Sequence, residues 1–205
     1  MKNTDIILAS SSPRRRELLE QIGVRPVVRP SRVEEHVTSR IPREVVEELS
    51  RQKAEDVAAE APSGTLVIGA DTVVAADGEI LGKPADRGDA VRMLRMLQGR
   101  RHQVYTGVTL ICTGEGGRKT VTFSEKTEVF VYPMTEEEIE DYADSGEPAD
   151  KAGAYGIQGK FAAYIRGIDG DYNNVVGLPV GRVCQEWKKM MEIKEDGRDD
   201  QTDRQ

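Results

Sequence analysis

The sequence predicts an α/β protein, a mixed β-sheet with flanking helices. Short apolar runs of strand length alternate with helical patterns along most of the chain. Two long strand-like stretches, 104–113 and 119–132, follow one another across Gly114-Glu115-Gly116-Gly117, so part of the sheet is antiparallel. The composition is ordinary for one folded unit: 205 residues, 38% hydrophobic, with only Cys112 and Cys184 as cysteines. Two thiols exclude a disulfide framework and a four-thiolate zinc site. No apolar run approaches the ~20 residues that span a bilayer. Met1 to Asp5 leads into only four apolar residues, which is no signal peptide. The expectation is a cytoplasmic protein with no membrane partner, one domain over 1–191 and a charged, disordered tail over 192–205.

The elements follow in order. Ile6 to Ala9 is a short buried strand. Ser12 then caps a helix opened by Pro13, with Leu18, Leu19 and Ile22 inward and Gly23 at its end. Val24 to Val28 reads as a strand. A polar loop passes Ser31, Glu34 and Glu35, and Pro42 opens a long helix to about Ala61 with Val46, Leu49 and Val57 on its apolar stripe. Leu66 to Ala70 is a fully apolar strand ending on Asp71. Thr72 to Ala76 and Glu79 to Leu81 flank an Asp77-Gly78 hairpin turn. Asp86 and Asp89 open a helix that carries Val91, Leu94 and Leu97 and stops at Gly99. Thr135 with Glu138 forms a capping box for an acidic helix closed by Gly146. Phe161 to Ile168 is strand-like. Pro179 opens a last helix with Val183, Cys184, Trp187 and Met191 inward.

The net charge of −7 argues at first against a polyanionic partner. Its distribution argues otherwise. Residues 125–150 hold ten acids against Lys126 alone, and 192–205 hold six acids against three bases, which leaves the rest of the chain net positive. Nucleic acid is not expected, because aromatics are 5% and no basic stripe is present.

Polar residues sit where a packed core would reject them in four places. Ser10-Ser11-Ser12-Pro13-Arg14-Arg15 joins a strand to a helix, where free N–H groups, hydroxyls and planar guanidinium forks suit phosphate. A plain N-cap with surface arginines is the alternative. Asp71 follows five apolar residues, a costly place for a carboxylate unless it is paired, metal-bound or a turn cap. Lys53 lies along the apolar stripe of its helix, either snorkelling or reaching a pocket anion, and Lys83 is fixed similarly before Pro84. Finally, Asp150-Lys151-Ala152-Gly153-Ala154-Tyr155-Gly156-Ile157-Gln158-Gly159 combines a cation, an amide able to read a base edge, and glycines that admit a ligand or make a tight turn. No Walker loop, dinucleotide fingerprint or nucleophile elbow is present, and His36 and His102 are the only histidines. Carboxylates without soft ligands suit Mg²⁺ or Mn²⁺ held partly by substrate phosphates.

Taken together, residues 9–15, Pro30-Ser31 with Glu34-Glu35, Gln52-Lys53-Ala54, Gly69-Ala70-Asp71-Thr72-Val73-Val74, Gly82-Lys83-Pro84, Tyr105-Thr106-Gly107-Val108, 150–159 and Asn174-Val175-Val176-Gly177-Leu178-Pro179 resemble the Maf family of nucleoside triphosphate pyrophosphatases. The resemblance covers about 5–190. It implies an ITPase-like fold with a substrate cleft between two lobes, often a homodimer, and hydrolysis of a triphosphate to the monophosphate and pyrophosphate. It implies Asp71 as proton acceptor and Arg14, Thr72 and Gln158 as residues of substrate choice, in the dTTP/UTP branch. On this reading Ser10, Ser12, Arg14, Arg15, Lys53, Lys83 and Lys151 bind the triphosphate, and Glu35 with Asp71 holds Mg²⁺, Mn²⁺ or Co²⁺. The alternatives it leaves are a nucleotide-binding regulator of septum formation with little turnover, and a house-cleaning enzyme for ITP or XTP. One departure from the pattern is Asp171, an added carboxylate expected near the cleft.

Overall fold

The computed structural model describes residues 4–114 and 117–192. The strands form one mixed seven-stranded sheet in the order β2-β1-β3-β5-β6-β7, with β4 also on β3. They are β1 (Ile6–Leu8), β2 (Val27–Val28), β3 (Leu66–Ala76), β4 (Glu79–Leu81), β5 (Arg101–Gly114), β6 (Gly117–Val131) and β7 (Ile165–Asp169). The helices are α1 (Pro13–Gln21), α2 (Pro42–Ala58), α3 (Arg87–Leu97), α4 (Glu136–Asp144), α5 (Tyr172–Val176) and α6 (Val180–Glu192). Beyond Glu192, the expected tail lies outside the described residues.

β3 is the strand on which the rest is organised. On one side it pairs with β5 along ten residues, Leu66↔Cys112 to Ala75↔Gln103. On the other it pairs first with β1, through Ile6↔Leu66 to Leu8↔Ile68, and later with β4, through Val74↔Leu81 to Ala76↔Glu79. Asp77 (φ 51°) and Gly78 (φ 81°) make the two-residue turn of that hairpin, as the Asp-Gly pair predicts. The apolar run 66–70 does not end on Asp71, however. β3 runs straight through it to Ala76, because β5 supplies pairing partners the whole way.

α2 lies against this sheet at unusually close range. A Cβ on Gly69 would stand 2.4 Å from the Ser50 carbonyl oxygen, and one on Gly107 2.1 Å from the Val46 carbonyl oxygen. The helix backbone therefore rests on two adjacent strands where neither has a side chain. Val45, Val46, Leu49, Ala54, Val57 and Ala58 are buried around the contact.

Two larger apolar cores flank the sheet. One joins β1, α1 and α6 through Leu8, Leu19, Leu110, Leu178, Val183 and Trp187. The other joins α3, α4 and the 152–164 segment through Leu94, Leu97, Ile139, Tyr155 and Phe161. Four further sequence expectations change. Ile22 is exposed, because α1 stops at Gln21 and Gly23 (φ 79°) turns the chain away. Met190, not Met191, is buried, since α6 runs from Val180 and its inward positions fall on Val183, Trp187 and Met190. Residues 160–164 form a 3₁₀ turn that drives Phe161 into the second core, and the strand begins only at Ile165. The strand expected over 24–28 shrinks to Val27–Val28, an exposed edge.

His102 is structural. It is buried, its Nε2 lies 2.7 Å from the Tyr155 hydroxyl, and burial pulls its imidazole down to about 4. A histidine held neutral in the fold but free to protonate when unfolded removes stability as the pH falls from about 6.5 to about 4. We expect a loss on the order of 3 kcal/mol across that window from this group. Urea midpoints measured from pH 7 to pH 4 should show it, and the slope should shrink in His102→Gln. Separately, Gly107→Ala should cost ~1–3 kcal/mol or more by overpacking, whereas Gly181→Ala, with no atom near its Cβ position, should leave the urea midpoint unchanged or slightly raised.

Candidate active site

A cleft of about 670 Å³ opens between the two cores. It is of small-ligand size. Its walls come from the 9–15 junction, Glu35 and Lys53, β3 from Asp71 to Val74, Gly82-Lys83, the 150–159 run and 175–177. Every site residue expected from the sequence lines it: Ser10, Ser12, Arg14, Arg15, Glu35, Lys53, Asp71, Thr72, Lys83, Lys151 and Gln158. Residues 148 positions apart in the chain thus share one cavity.

Asp71 and Lys53 form its central pair. The Asp71 side chain faces α2, and Lys53 Nζ donates to its Oδ1 at 2.5 Å. Both side chains are 16% exposed. The same ammonium lies 3.0 Å from Glu35 Oε1. Lys53 therefore neither snorkels out nor waits alone; it ties two carboxylates together. An ammonium has three donors, so one remains for a ligand. The pair can form because α2 sits on Gly69 and Gly107; Lys53 lies between Ser50 and Ala54, the two residues that meet Gly69, and reaches Asp71 two residues along β3.

Arg15 is the second anchor. Its Nε donates to the Gly177 carbonyl at 2.8 Å, its Nη1 to Ser10 Oγ at 3.0 Å and its Nη2 to Thr72 Oγ1 at 3.0 Å. Burial lowers this guanidinium below its ordinary value, and the Asp71 charge opposes that shift. Thr72 Oγ1 also lies 2.9 Å from Thr106 Oγ1, and Thr106 donates to the Asn174 carbonyl at 3.0 Å. Asn174, fully buried, donates from Nδ2 to the Val104 carbonyl at 3.1 Å and to Thr127 Oγ1 at 2.9 Å. Sequence reasoning did not single out Thr106 or Asn174. The signal was present, since threonines and an asparagine stood inside motifs flanked by apolar residues.

Arg14 reaches across the cleft to Asp150 Oδ2 at 2.8 Å, and Lys151 Nζ holds Asp150 Oδ1 at 2.7 Å and the Glu147 carbonyl at 2.6 Å. Burial would raise the Asp150 carboxyl, but the hydrogen bonds from Lys151 and Arg14 outweigh it and hold it at about 2. Asp150 is thus more than the border of an acidic region; it belongs to the site. Lys83 has no ion-pair partner among the described residues. Gln158 is exposed and makes no hydrogen bond among them. The glycines of 150–159 serve the fold first. A Cβ on Gly153 would strike Val74, one on Gly156 the Lys151 stem, and one on Gly159 the Glu147 carboxylate. Asp171 is a cap rather than a cleft carboxylate: its Oδ1 accepts from the Asn173 N–H at 2.7 Å, and it does not line the cavity. Ser12 takes the N-cap position of α1 without a side-chain cap bond; its N–H instead donates to Ser10 Oγ at 3.2 Å.

Among the described residues no group of three or more His, Cys, Asp or Glu is placed to hold a metal by itself. Glu35 and Asp71 are nonetheless within reach of one cation, here the Lys53 ammonium. Two carboxylates completed by water and substrate phosphate is a donor set that fits Mg²⁺ or Mn²⁺. No helix among the described residues is long and apolar enough to cross a membrane.

Fold and cleft define an α/β protein with a cation-lined cavity set against paired carboxylates, an arrangement suited to a polyanionic ligand. The family model described as Maf-like protein matches residues 5–190, and the chain belongs to that family. It is similar to a dTTP/UTP pyrophosphatase of Agathobacter rectalis, 56% identical over 91% of this chain and 98% of the relative. Proteins of the same name from Carboxydothermus hydrogenoformans and Symbiobacterium thermophilum are 53% and 52% identical, covering 90% and 88% of this chain and 97% and 91% of theirs.

The Lys53–Asp71 contact should appear as an energetic coupling. In a double-mutant cycle with Lys53→Met and Asp71→Asn, urea unfolding should return a coupling of ~1–3 kcal/mol. Additive losses would mean the pair contributes nothing.

Proposed function

We propose that the protein hydrolyses dTTP and UTP to the monophosphate and pyrophosphate. The observation that carries this reading is Asp71, an ionisable carboxylate in the middle of a strand, open to a cavity whose other walls supply five cations. The names of the relatives supply the substrates. Triphosphate is the most highly charged part of such a ligand, and Arg14, Arg15, Lys53, Lys83 and Lys151 match it.

Asp71 accepts the proton of a water that attacks the α-phosphorus. Lys53 fixes the orientation of that carboxylate and offers its third N–H to a phosphate oxygen. Arg15, itself held by Ser10, Thr72 and Gly177, is a rigid donor rather than a searching one. Rigid charge costs no reorganisation when the transition state forms. Arg14 and Lys151 pass from Asp150 to the triphosphate as it enters. A divalent metal, held by Glu35 and Asp71, would supply charge neutralisation of the phosphate oxygens. The reaction needs no covalent nucleophile; it is placement and charge stabilisation.

With Mg²⁺, Mn²⁺ or Co²⁺, dTTP and UTP should yield pyrophosphate and no orthophosphate. Asp71→Asn should lower kcat by ~10²–10⁴-fold, the span usual for a general base, with circular dichroism unchanged. Release of the γ-phosphate would overturn the assignment, as would full activity in Asp71→Asn.

A further inference from the structure

Residues 30–40 join β2 to α2 without forming a helix or strand. Among the described residues, none of their main-chain groups bonds to another main chain. They bury little, and Val33 and Val37 stand exposed. Yet this strap carries Glu35 to the cleft, where its Oε1 lies 3.0 Å from Lys53 Nζ. The Glu35 side chain is 47% exposed, and an ion pair so open to water does little to order a chain by itself. The strap needs another hold.

α2 supplies it. Glu44, Glu48, Gln52 and Asp56 recur at every fourth residue and so form one stripe along the helix. Each takes hold of the strap, which runs against the helix direction. Asp56 Oδ2 accepts from Ser31 Oγ at 2.8 Å and from the Arg32 N–H at 2.9 Å. Glu48 Oε2 accepts from the Thr38 N–H at 2.9 Å, and its Oε1 from the Thr38 hydroxyl. Glu44 Oε2 accepts from Ser39 Oγ at 2.6 Å. Hydrogen bonds from Thr38 hold the Glu48 carboxyl below its ordinary value, and those from Arg32 and Ser31 do the same for Asp56.

Gln52 is the one amide in this stripe. Its Oε1 accepts from the His36 N–H at 2.9 Å, and its Nε2 donates to the His36 carbonyl at 2.6 Å. An ionised carboxylate could not do both, because it has no proton for the carbonyl. The other three positions catch only N–H and hydroxyl donors, for which a carboxylate suffices. His36 follows Glu35, and Gln52 precedes Lys53. Two neighbours on the helix thus grip two neighbours on the strap: Gln52 takes the main chain and Lys53 meets the side chain. The His36 N–H shares a rigid peptide plane with the Glu35 carbonyl, so fixing it fixes how the Glu35 side chain leaves the strap. Gln52 itself does not line the cleft.

We propose that Gln52 is a positioning residue of the site: by clamping both main-chain groups of His36 it holds Glu35 beside Lys53 and Asp71, where the two carboxylates can share a divalent metal. This rests on the pyrophosphatase reading given above and on the role that reading gives Glu35.

The test compares Gln52→Met, which keeps the side-chain length and loses both bonds, with Glu35→Gln and with the double variant. Gln52→Met should lower kcat for UTP with Mn²⁺ about tenfold and leave KM for UTP nearly unchanged. Added to Glu35→Gln, it should cost less than about twofold more, because the two act through one group. Equal cost in both backgrounds would make Gln52 a general support of the fold and overturn the proposal. Unchanged kcat in either single variant would overturn it too. Mn²⁺ uptake by the nucleotide-free protein, followed by electron paramagnetic resonance, gives a readout free of turnover. Gln52→Met should weaken uptake about tenfold; no difference from the unaltered protein would overturn the positioning role. Amide hydrogen exchange in the unaltered chain needs no variant. Relative to their intrinsic rates, Arg32, His36 and Thr38 should exchange about tenfold more slowly than Glu34 and Val37. Uniform exchange along the strap would mean that the stripe does not hold it, and would overturn the proposal. Each of these failures leaves the pyrophosphatase reading standing so long as UTP yields pyrophosphate. If it does not, that reading falls and takes this one with it.

Discussion

The site depends on how closely one helix can approach one sheet. Lys53 meets Asp71 at 2.5 Å only because α2 lays its backbone on Gly69 and Gly107. With a methyl group at either glycine the helix would stand off, and Lys53 would lose its carboxylate. A carboxylate in the middle of a strand, largely shielded from water, would then lack its counter-charge. Burying such a group without a partner is costly. The packing of the core and the charge pairing of the site are in this sense one constraint.

A second consequence concerns charge. The cleft holds five cations, yet four already have partners: Lys53 on Asp71 and Glu35, Arg15 on Ser10, Thr72 and Gly177, and Arg14 and Lys151 on Asp150. A cleft of bare like charges would repel itself apart. This one is held together by its own carboxylates, and on the proposed reading a triphosphate would enter by exchange. Arg14 and Lys151 are the cations able to change partners, because the Asp150 carboxylate they share is more than half exposed. Arg15 and Lys53 cannot move so freely. The cleft thus combines two fixed cations with two exchangeable ones.

Much of this was readable in the residues themselves. The Asp77-Gly78 turn, the Thr135–Glu138 capping box and the α3 cap at Asp86 form as their chemistry demands, because each is decided within four residues. All the expected site residues line one cleft, since polar groups inside apolar runs had few other reasons to be there. What escaped the sequence was decided at long range. β3 continues through Asp71 because β5 pairs with it, and nothing near Asp71 announces β5. Phe161 ends in a 3₁₀ turn because Tyr142, Tyr155 and Tyr164 gather around its ring. The glycines of 150–159 looked like space for a ligand, but they are space for Val74, Lys151 and Glu147. The network from Arg15 through Thr72 and Thr106 to Asn174 joins residues up to 159 positions apart, beyond any local signal.

The central claim is that water attacks the α-phosphorus of the nucleotide. Turnover of UTP in ¹⁸O-labelled water tests it by locating the label in the products with mass spectrometry. The account predicts one labelled oxygen in the monophosphate and none in the pyrophosphate. Label in the pyrophosphate would place the attack on the β-phosphorus and contradict it.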